Sequence, residues 1–387
     1  MQVIPSGMSD TFPSSAFIAR PLPSRNSVSL GICLILILFG AGAGLGQQKT
    51  APNEAAPSNT ASYTIDDLGP FVVIADDVVP SLNRDGTVAY WTKVNGAVRA
   101  TVWRGGKTTT IEDVAGYPNT IAHAINSRGE IAGWMNTSRN LVDSTSTTHG
   151  FIQHGGEIQN IPGLGGRDNR VLGLNDKGAA VGTASLAGGG RHAFLLTGTE
   201  AADLGTLPTG KSSAAYAINN KGVIVGEADK DSKANHAVSW VKGKIKDIGT
   251  LPGGHGSSAR AINDRGQIVG FSDTDDGVRA FLYANGAMQD LGTLGSDPSE
   301  ASGINNNGDV VGASNVTAHK RHAFLWRDGR MVDLNDLLPK GSPWIILNAF
   351  SINDRGQIVC TARSKTEPLH LLLLTPQQLT PQPGYAK

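Results

Sequence analysis

Short apolar runs alternate with polar, glycine-containing turns along almost the whole chain after residue 47. No segment in this part keeps the 3.6-residue period of an amphipathic helix. The runs instead alternate with a period of two, as in HAFLW from His322, where His, Phe and Trp fall on one face and Ala and Leu on the other. The pattern predicts an all-β protein built from many short strands.

The most regular part of the pattern reads Ala-Ile-Asn-x-x-Gly-x-Ile-Val-Gly, and it recurs with variations along the chain. Asn-x-x-Gly between two apolar runs is typical of a tight hairpin, because asparagine hydrogen-bonds nearby backbone and glycine accepts a positive φ. The seven asparagines are Asn83, Asn126, Asn175, Asn219, Asn263, Asn305 and Asn353, at spacings of 43, 49, 44, 44, 42 and 48 residues. A period of this size indicates a repeat architecture.

Each repeat contains four short strands, which we name A to D. Strand A ends at Ala-Ile-Asn, strand B is the Ile-Val-Gly run, strand C is the HAF-like run, and strand D ends in Asp-Leu-Gly. Four antiparallel strands in each of seven repeats predict a seven-bladed β-propeller. The chain length of 387 residues would by itself suggest two or three domains of about 150 residues, but the repeat predicts one.

The two ends of the repeat region complement each other. The last repeat lacks a strand D, whereas residues 63–69 (YTIDDLG) form a strand D with no repeat before it. We therefore expect this N-terminal strand to complete the seventh blade, because closure removes exposed sheet edges. The predicted propeller spans residues 63–376, and residues 377–387 form a C-terminal tail.

The combination of the AIN-x-x-G-x-IVG element with HAF-like strands resembles the extracellular repeat family that is named for its HAF motif. The resemblance covers about residues 62–375 and is strongest over residues 173–338, whereas the repeats around Asn83 and Asn353 depart from it. It implies an exported protein and specifies no activity.

The N-terminal region supports export independently. Residues 30–46 (LGICLILILFGAGAGLG) are apolar and follow Arg20 and Arg25, which is the pattern of a secretory signal. An uncleaved membrane anchor is the alternative, since the run approaches the length of a spanning helix. We thus assign residues 1–46 to a signal peptide or anchor and residues 47–62 to a flexible linker. The expected location is extracellular or periplasmic, with membrane contact only through this segment.

Composition narrows the partners. Lys+Arg and Asp+Glu both number 33, so the chain has no general electrostatic attraction to nucleic acid. Two cysteines exclude a disulfide scaffold and a cysteine-built zinc site. The string GTLPTGKS at residues 205–212 matches a phosphate-binding loop, but a strand rather than a helix should follow it. We expect a monomer without an organic cofactor.

Loop variation predicts where ligands bind. The A–B and C–D turns are short and uniform, whereas the D–A and B–C loops are longer and differ between repeats. Variable loops on a rigid scaffold are the usual place for binding. The candidate binding residues on these loops are Arg167, Asp168, Lys211, His255 and Asp297.

Two further sets of residues have alternative interpretations. Asp273, Asp275 and Asp276 place carboxylates in one B–C loop, which suits calcium or an ordinary solvated turn. The recurring His192, His236 and His322 occupy equivalent positions in different blades, which favours a structural role over metal binding. Hydrogen bonds from these histidines to the strand D aspartates Asp203, Asp247 and Asp333 are expected.

These features predict a non-catalytic, exported protein that binds a glycan or a protein partner through its D–A and B–C loops. The alternative is a secreted propeller hydrolase or lyase with catalytic residues near the axis. No nucleophile-elbow or metalloprotease motif supports the alternative.

Overall fold

A computed structural model of the protein describes residues 62–74, 79–111, 114–141, 145–230 and 234–377. The predicted signal or anchor at residues 30–46, the linker up to residue 61 and the tail from residue 378 lie outside the described residues. Within the described ranges, no helix is long and apolar enough to span a membrane.

The described chain forms seven antiparallel sheets of four strands each. Blades 1 to 3 contain β2 (Ser81–Leu82), β3 (Val88–Val94), β4 (Ala97–Arg104) and β5 (Lys107–Thr110); β6 (Asn119–Ile125), β7 (Ile131–Asn136), β8 (Thr148–His154) and β9 (Glu157–Asn160); and β10 (Gly165–Leu174), β11 (Ala180–Leu186), β12 (Arg191–Thr197) and β13 (Glu200–Asp203). Blades 4 and 5 contain β14 (Ser213–Ile218), β15 (Ile224–Asp229), β16 (Asn235–Val241) and β17 (Lys244–Gly249); and β18 (Ser257–Ile262), β19 (Ile268–Asp273), β20 (Val278–Ala284) and β21 (Ala287–Asp290).

Blades 6 and 7 complete the ring. They contain β22 (Ser296–Ile304), β23 (Val310–Thr317), β24 (Lys320–Arg327) and β25 (Arg330–Asp333); and β26 (Ile345–Ile352), β27 (Ile358–Arg363), β28 (His370–Pro376) and the N-terminal β1 (Tyr63–Pro70). One short 3-10 helix, Leu334–Leu337, follows β25. The predicted seven-bladed β-propeller is therefore confirmed.

The N-terminal strand closes the ring as the sequence predicts. β1 pairs antiparallel with β28, with Tyr63 opposite Pro376. Beyond the strand ends, the Gln377 backbone N–H donates to the Ser62 carbonyl at 2.7 Å. The two ends of the described chain pair with each other, so β1 covers the edge that β28 would otherwise leave open in blade 7.

Paired glycine and phenylalanine residues explain why Ile-Val-Gly and HAF recur together. In blade 3, Gly182 on β11 lies directly opposite Phe194 on β12, and a Cβ at Gly182 would meet the Arg170 carbonyl and the Phe194 ring. Blades 2, 5 and 6 repeat this pairing of a strand B glycine with a strand C phenylalanine. In blade 4, the glycine lies opposite Val238 instead. The four phenylalanine rings are fully buried, and each packs against residues of the preceding blade.

Strand A carries a bulge that the sequence analysis did not predict. Its register shifts in blades 2 to 7 at the residue three positions before the repeat asparagine. The bulged residues are His123, Leu172, Tyr216, Arg260, Ser302 and Phe350. The extra residue of a bulge bends the strand and redirects the adjacent side chains, and the bulged residues differ in chemistry from blade to blade.

Candidate functional site

The repeat asparagines form a ring at one end of the propeller axis. The Asn219 side-chain oxygen accepts the backbone N–H of Lys221 at 3.0 Å and of Val223 at 2.9 Å, which closes its own A–B turn. Its amide nitrogen donates to the Asn263 carbonyl in the next blade at 3.0 Å. Equivalent amide bonds link all seven blades, from Asn83 to Asn126 and so on to Asn353, which donates to Asn83.

A second polar ring lies beside the first. The residues that follow the asparagines line a depression of about 190 Å³; they are Arg84, Ser127, Asp176, Asn220, Asp264, Asn306 and Asp354. The Asn220 amide donates to the Asp176 and Asp264 carboxylates at 3.0 and 3.1 Å. Residues from all seven A–B turns line this one depression, so the turns converge on the axis at this end, which we call the turn face.

Electrostatics at the turn face favour the ionised form of Asp176. Burial tends to raise the pKa of Asp176, but hydrogen bonds from Ser127 and Asn220 and the nearby charge of Arg84 outweigh it and lower the pKa. A carboxyl with a lowered pKa is a poor general acid near neutral pH. The polar groups of this ring chiefly join one blade to the next.

The recurring histidines form braces between strands C and D. His192 and His236 contact Asp203 and Asp247 at 2.9 and 3.0 Å. His322 contacts Asp333 at 2.5 Å, so all three expected hydrogen bonds are present. A fourth brace, which the sequence analysis did not pair, joins His370 to Asp67 at 2.9 Å across the ring closure.

The predicted binding residues lie at the opposite end, the loop face, in successive clefts between blades. Arg167 and Asp168 lie between blades 2 and 3, where Arg167 donates to the Thr145 carbonyl and Asp168 accepts the Thr148 backbone N–H. Lys211 lies between blades 3 and 4, and its backbone N–H donates to Asp229 at 2.7 Å.

The remaining two lie one and two clefts further round the ring. The His255 backbone N–H donates to the Asp273 carboxylate at 2.7 Å. Asp297 forms an ion pair with Arg279 at 2.8 Å. The structure therefore distributes the five candidates over four clefts and does not collect them into one pocket.

The predicted calcium loop has a local structural role for one of its acids. One oxygen of Asp273 accepts the backbone N–H groups of both His255 and Gly256. Asp275 lies over Gly253, and the Asp276 backbone N–H donates to Thr274 at 3.2 Å. Among the described residues, no group of three or more His, Cys, Asp or Glu side chains is placed to hold a metal ion.

A pocket of about 310 Å³ opens on the loop face between blades 3 and 4. Polar and charged side chains dominate its lining, which comprises Arg170, Leu172, Thr183, Arg191, Ser212, Ser213, Ala214, Tyr216, Glu227, Ala228, Asp229 and Asn235. Two of its acids already accept protein donors: Asp229 binds the backbone of Lys211 and Ser212, and Glu227 binds the Asn235 amide at 3.1 Å. The guanidinium of Arg170 stacks over Trp134 at 4.6 Å from the ring centroid.

Lys211, a binding residue predicted from the sequence, is the neighbour of Ser212 in this pocket, but the sequence analysis did not predict Arg170 or Arg191. Both arginines lie in strands, whereas the predicted binding residues lie on loops. An alignment of the seven repeats position by position would have drawn attention to both, because most repeats carry other residues there.

Comparisons with known proteins show similarity in fold only. No family model matches this chain, and no curated protein matches it either. Among solved structures, it is similar to the β-propeller domain of the trilobed protease from Pyrococcus furiosus, described as having an open velcro topology, at 13% identity over 81% of this chain and 95% of that one, with a TM-score of 0.51. YCF48 bound to D1 peptide (13% identity, 84% and 97% covered, TM-score 0.46) and TolB from Acinetobacter baumannii (13%, 76% and 65%, 0.43) are more distant in structure. At these identities, the likeness shows a shared propeller fold.

Proposed function

We propose that this propeller is a non-catalytic binding protein whose ligand, a glycan, enters on the loop face. The observation that carries the proposal is the 310 Å³ pocket between blades 3 and 4, which is lined by hydroxyl, amide and charged groups around Tyr216. Concave sites with a few convergent polar groups are the usual form of small-ligand sites. A sugar residue supplies the hydroxyl groups that such a lining would bind.

The balance of charge states supports binding over acid–base catalysis. The described carboxyl groups with a clearly shifted pKa, Glu130, Asp176, Asp247 and Asp309, are all shifted downward. In each case burial acts to raise the pKa, and hydrogen bonds from neighbouring groups outweigh it. A hydrolase or lyase that uses a carboxyl group as its general acid needs that group to hold its proton near neutral pH, which would require the opposite shift.

We further propose that the protein is exported and belongs with the HAF-motif repeat proteins. The apolar segment at residues 30–46 and the recurring AIN and HAF elements support this placement. N-terminal sequencing of the protein from the culture medium, the periplasm and the membrane fraction tests it. A mature N-terminus near Gln47 outside the cytoplasm supports a cleaved signal, and cytoplasmic protein beginning at Met1 or Met8 contradicts export.

The binding proposal is tested by applying the full-length protein to an array of neutral and acidic glycans, with calcium and with chelator. Retention of intact glycans without degradation products supports a binding protein. Loss of binding in chelator would support the calcium interpretation of Asp273, Asp275 and Asp276. Degradation of a retained glycan would favour the hydrolase or lyase alternative, and no retention would favour a protein partner.

A further inference from the structure

We propose that the pocket between blades 3 and 4 binds the carboxylate of an acidic sugar residue through Arg191. This inference rests on the proposed glycan-binding function and specifies the ligand class. Its basis is a comparison of two equivalent clefts in the same molecule, the one between blades 3 and 4 and the one between blades 6 and 7.

Arg191 and Arg321 occupy the same repeat position, immediately before the histidine of strand C. In blade 6, Arg321 donates to the Glu300 carboxylate at 2.8 Å and to the Asn348 side chain of blade 7 at 2.9 Å. Glu300 lies five residues before the asparagine of its own blade, and Asn348 lies five residues before that of the next. Glu300 neutralises the guanidinium, and Asn348 adds a hydrogen bond from the next blade.

Both partners are replaced in the cleft between blades 3 and 4. Arg170 occupies the position of Glu300, and Ala214 occupies the position of Asn348. Cross-strand pairing confirms the equivalence, because Arg170 lies opposite Thr183 as Glu300 lies opposite Ala313. Blade 3 thus has an arginine, whose guanidinium stacks over Trp134, at the strand position where blade 6 has its carboxylate. Ala214 is smaller than the asparagine that it replaces and offers Arg191 no side-chain acceptor.

Arg191 consequently lines an open pocket. Among the residues that the structure describes, no carboxylate oxygen lies within 4.0 Å of its guanidinium, although Arg321 has one at 2.8 Å. Guanidinium groups bind carboxylates through paired, charge-assisted hydrogen bonds. A ligand carboxylate bound in the pocket would satisfy Arg191.

The rest of the lining restricts the ligand further. Glu227 and Asp229 place carboxylate oxygens on the blade 4 side of the same pocket. These oxygens repel a phosphate group, which carries more negative charge than a carboxylate, but accept hydrogen bonds from sugar hydroxyls. One carboxylate together with several hydroxyl groups is the composition of a uronic acid, which therefore fits the pocket better than a multiply charged anion does.

The test measures binding of the full-length protein to a galacturonic-acid tetramer and to its methyl-esterified form by titration calorimetry. We expect the free acid to bind at least about tenfold more tightly than the ester, because esterification removes the charge-assisted hydrogen bonds. Arg191→Gln should weaken binding of the free acid by a similar factor and leave binding of the ester nearly unchanged.

Two further variants separate the pocket from general effects of folding and charge. Arg170→Glu recreates the Glu300–Arg321 pair within blade 3 and should abolish the preference for the acid even if Arg191→Gln does not fold. Arg321→Gln removes an arginine at the same repeat position from the cleft between blades 6 and 7. It should leave affinity for the acid within about twofold, since substitutions far from a site act independently of it.

The outcomes distinguish this inference from the proposed function. Equal affinity for acid and ester, or equal effects of Arg191→Gln and Arg321→Gln, overturns the acidic-sugar site while leaving glycan binding in place. Binding to neutral glycans alone on the array has the same meaning. Absence of any glycan binding overturns both, and a preference for zwitterionic amino acids over uronates also overturns the inference.

Discussion

At the scale of single residues, the repeat asparagine is used on both sides of its amide. Its oxygen closes the A–B turn, as for Asn219 with Lys221 and Val223, and its nitrogen reaches the backbone of the next blade. Aspartate has nearly the same shape and retains the acceptor. It lacks the donor and would place a carboxylate oxygen against a carbonyl.

We expect Asn219→Asp to lower the free energy of unfolding by about 1–3 kcal/mol, the range for a buried polar group left without its partner. The matched control is Asn95→Asp, in an exposed turn, with an expected change within about 0.5 kcal/mol. Urea unfolding at neutral pH measures both. Equal losses would mean that the interblade bond contributes nothing specific.

A second prediction at this scale concerns Asp309. Burial acts to raise its pKa, but hydrogen bonds from Arg327 and Asn305 outweigh burial, and the pKa is lowered. A folded-state pKa below the unfolded value of about 3.9 stabilises the protein above that pH, and the stabilisation is lost as the pH falls through the folded-state pKa. The difference in unfolding free energy between wild type and Asp309→Asn should therefore shrink between pH 7 and pH 3 in urea titrations. A difference that stays constant would contradict the assigned shift.

At the scale of elements, the most consequential strand is the one furthest from its neighbours in sequence. β1 supplies Tyr63, fully buried against the core of blade 7, while Thr64 beside it is exposed. The strand also brings Asp67 to His370. Packing of β1 thus converts an open row of blades into a ring.

We expect Tyr63→Ala to destabilise the protein by about 3–5 kcal/mol, as for other large aromatic side chains removed from a core. Thr64→Ala on the same strand should cost less than about 1 kcal/mol. Thermal and urea unfolding measure the difference, and size-exclusion chromatography should show more self-association for Tyr63→Ala, since a detached β1 exposes β28. Equal stability of the two variants would contradict a closing role for this strand.

The elements also show which features are readable from sequence. The strand pattern, the count of blades and the N-terminal clasp could be predicted because each depends on local periodicity and on what the last repeat lacks. The strand A bulges could not, since the sequence around a residue such as Tyr216 or Arg260 carries no local signal of a register shift. The pocket at Arg191 depends on which residues replace Glu300 and Asn348 at the equivalent positions of blades 3 and 4. Only a comparison of the repeats with one another shows these replacements.

At the scale of the whole molecule, stability depends on a closed circuit of interactions. Asn353 donates to Asn83 across 270 positions of sequence, and Gln377 donates to Ser62. The ends of the described chain are therefore neighbours, and a short linker could join residue 377 to residue 62. The ring would then be opened elsewhere.

Two circular permutants test how much stability comes from the clasp, that is, from a blade built from both ends of the chain. Opening between Asn285 and Gly286, in the C–D turn of blade 5, again makes one blade from both ends of the chain. Opening between Gly253 and Gly254, in the loop between blades 4 and 5, leaves every blade continuous and the ring without a clasp. We expect the first permutant to have the higher melting temperature, by several degrees for each kcal/mol of clasp stabilisation. The reverse order would show that closure relies on the asparagine ring alone.

The separation of the two faces has a consequence for how such a chain can change. The asparagine ring joins all seven blades through the same hydrogen bond, whereas the contacts at the cleft mouths differ from one cleft to the next. A substitution at a cleft mouth therefore alters one compartment and requires no compensating change in the others. Repeats that arise by duplication begin with identical clefts. Substitutions at a single repeat position, which holds Arg170, Ala214 and Glu300 in three of the blades, then give each cleft its own chemistry. For protein engineering, the residues of one cleft can be substituted without changing the others.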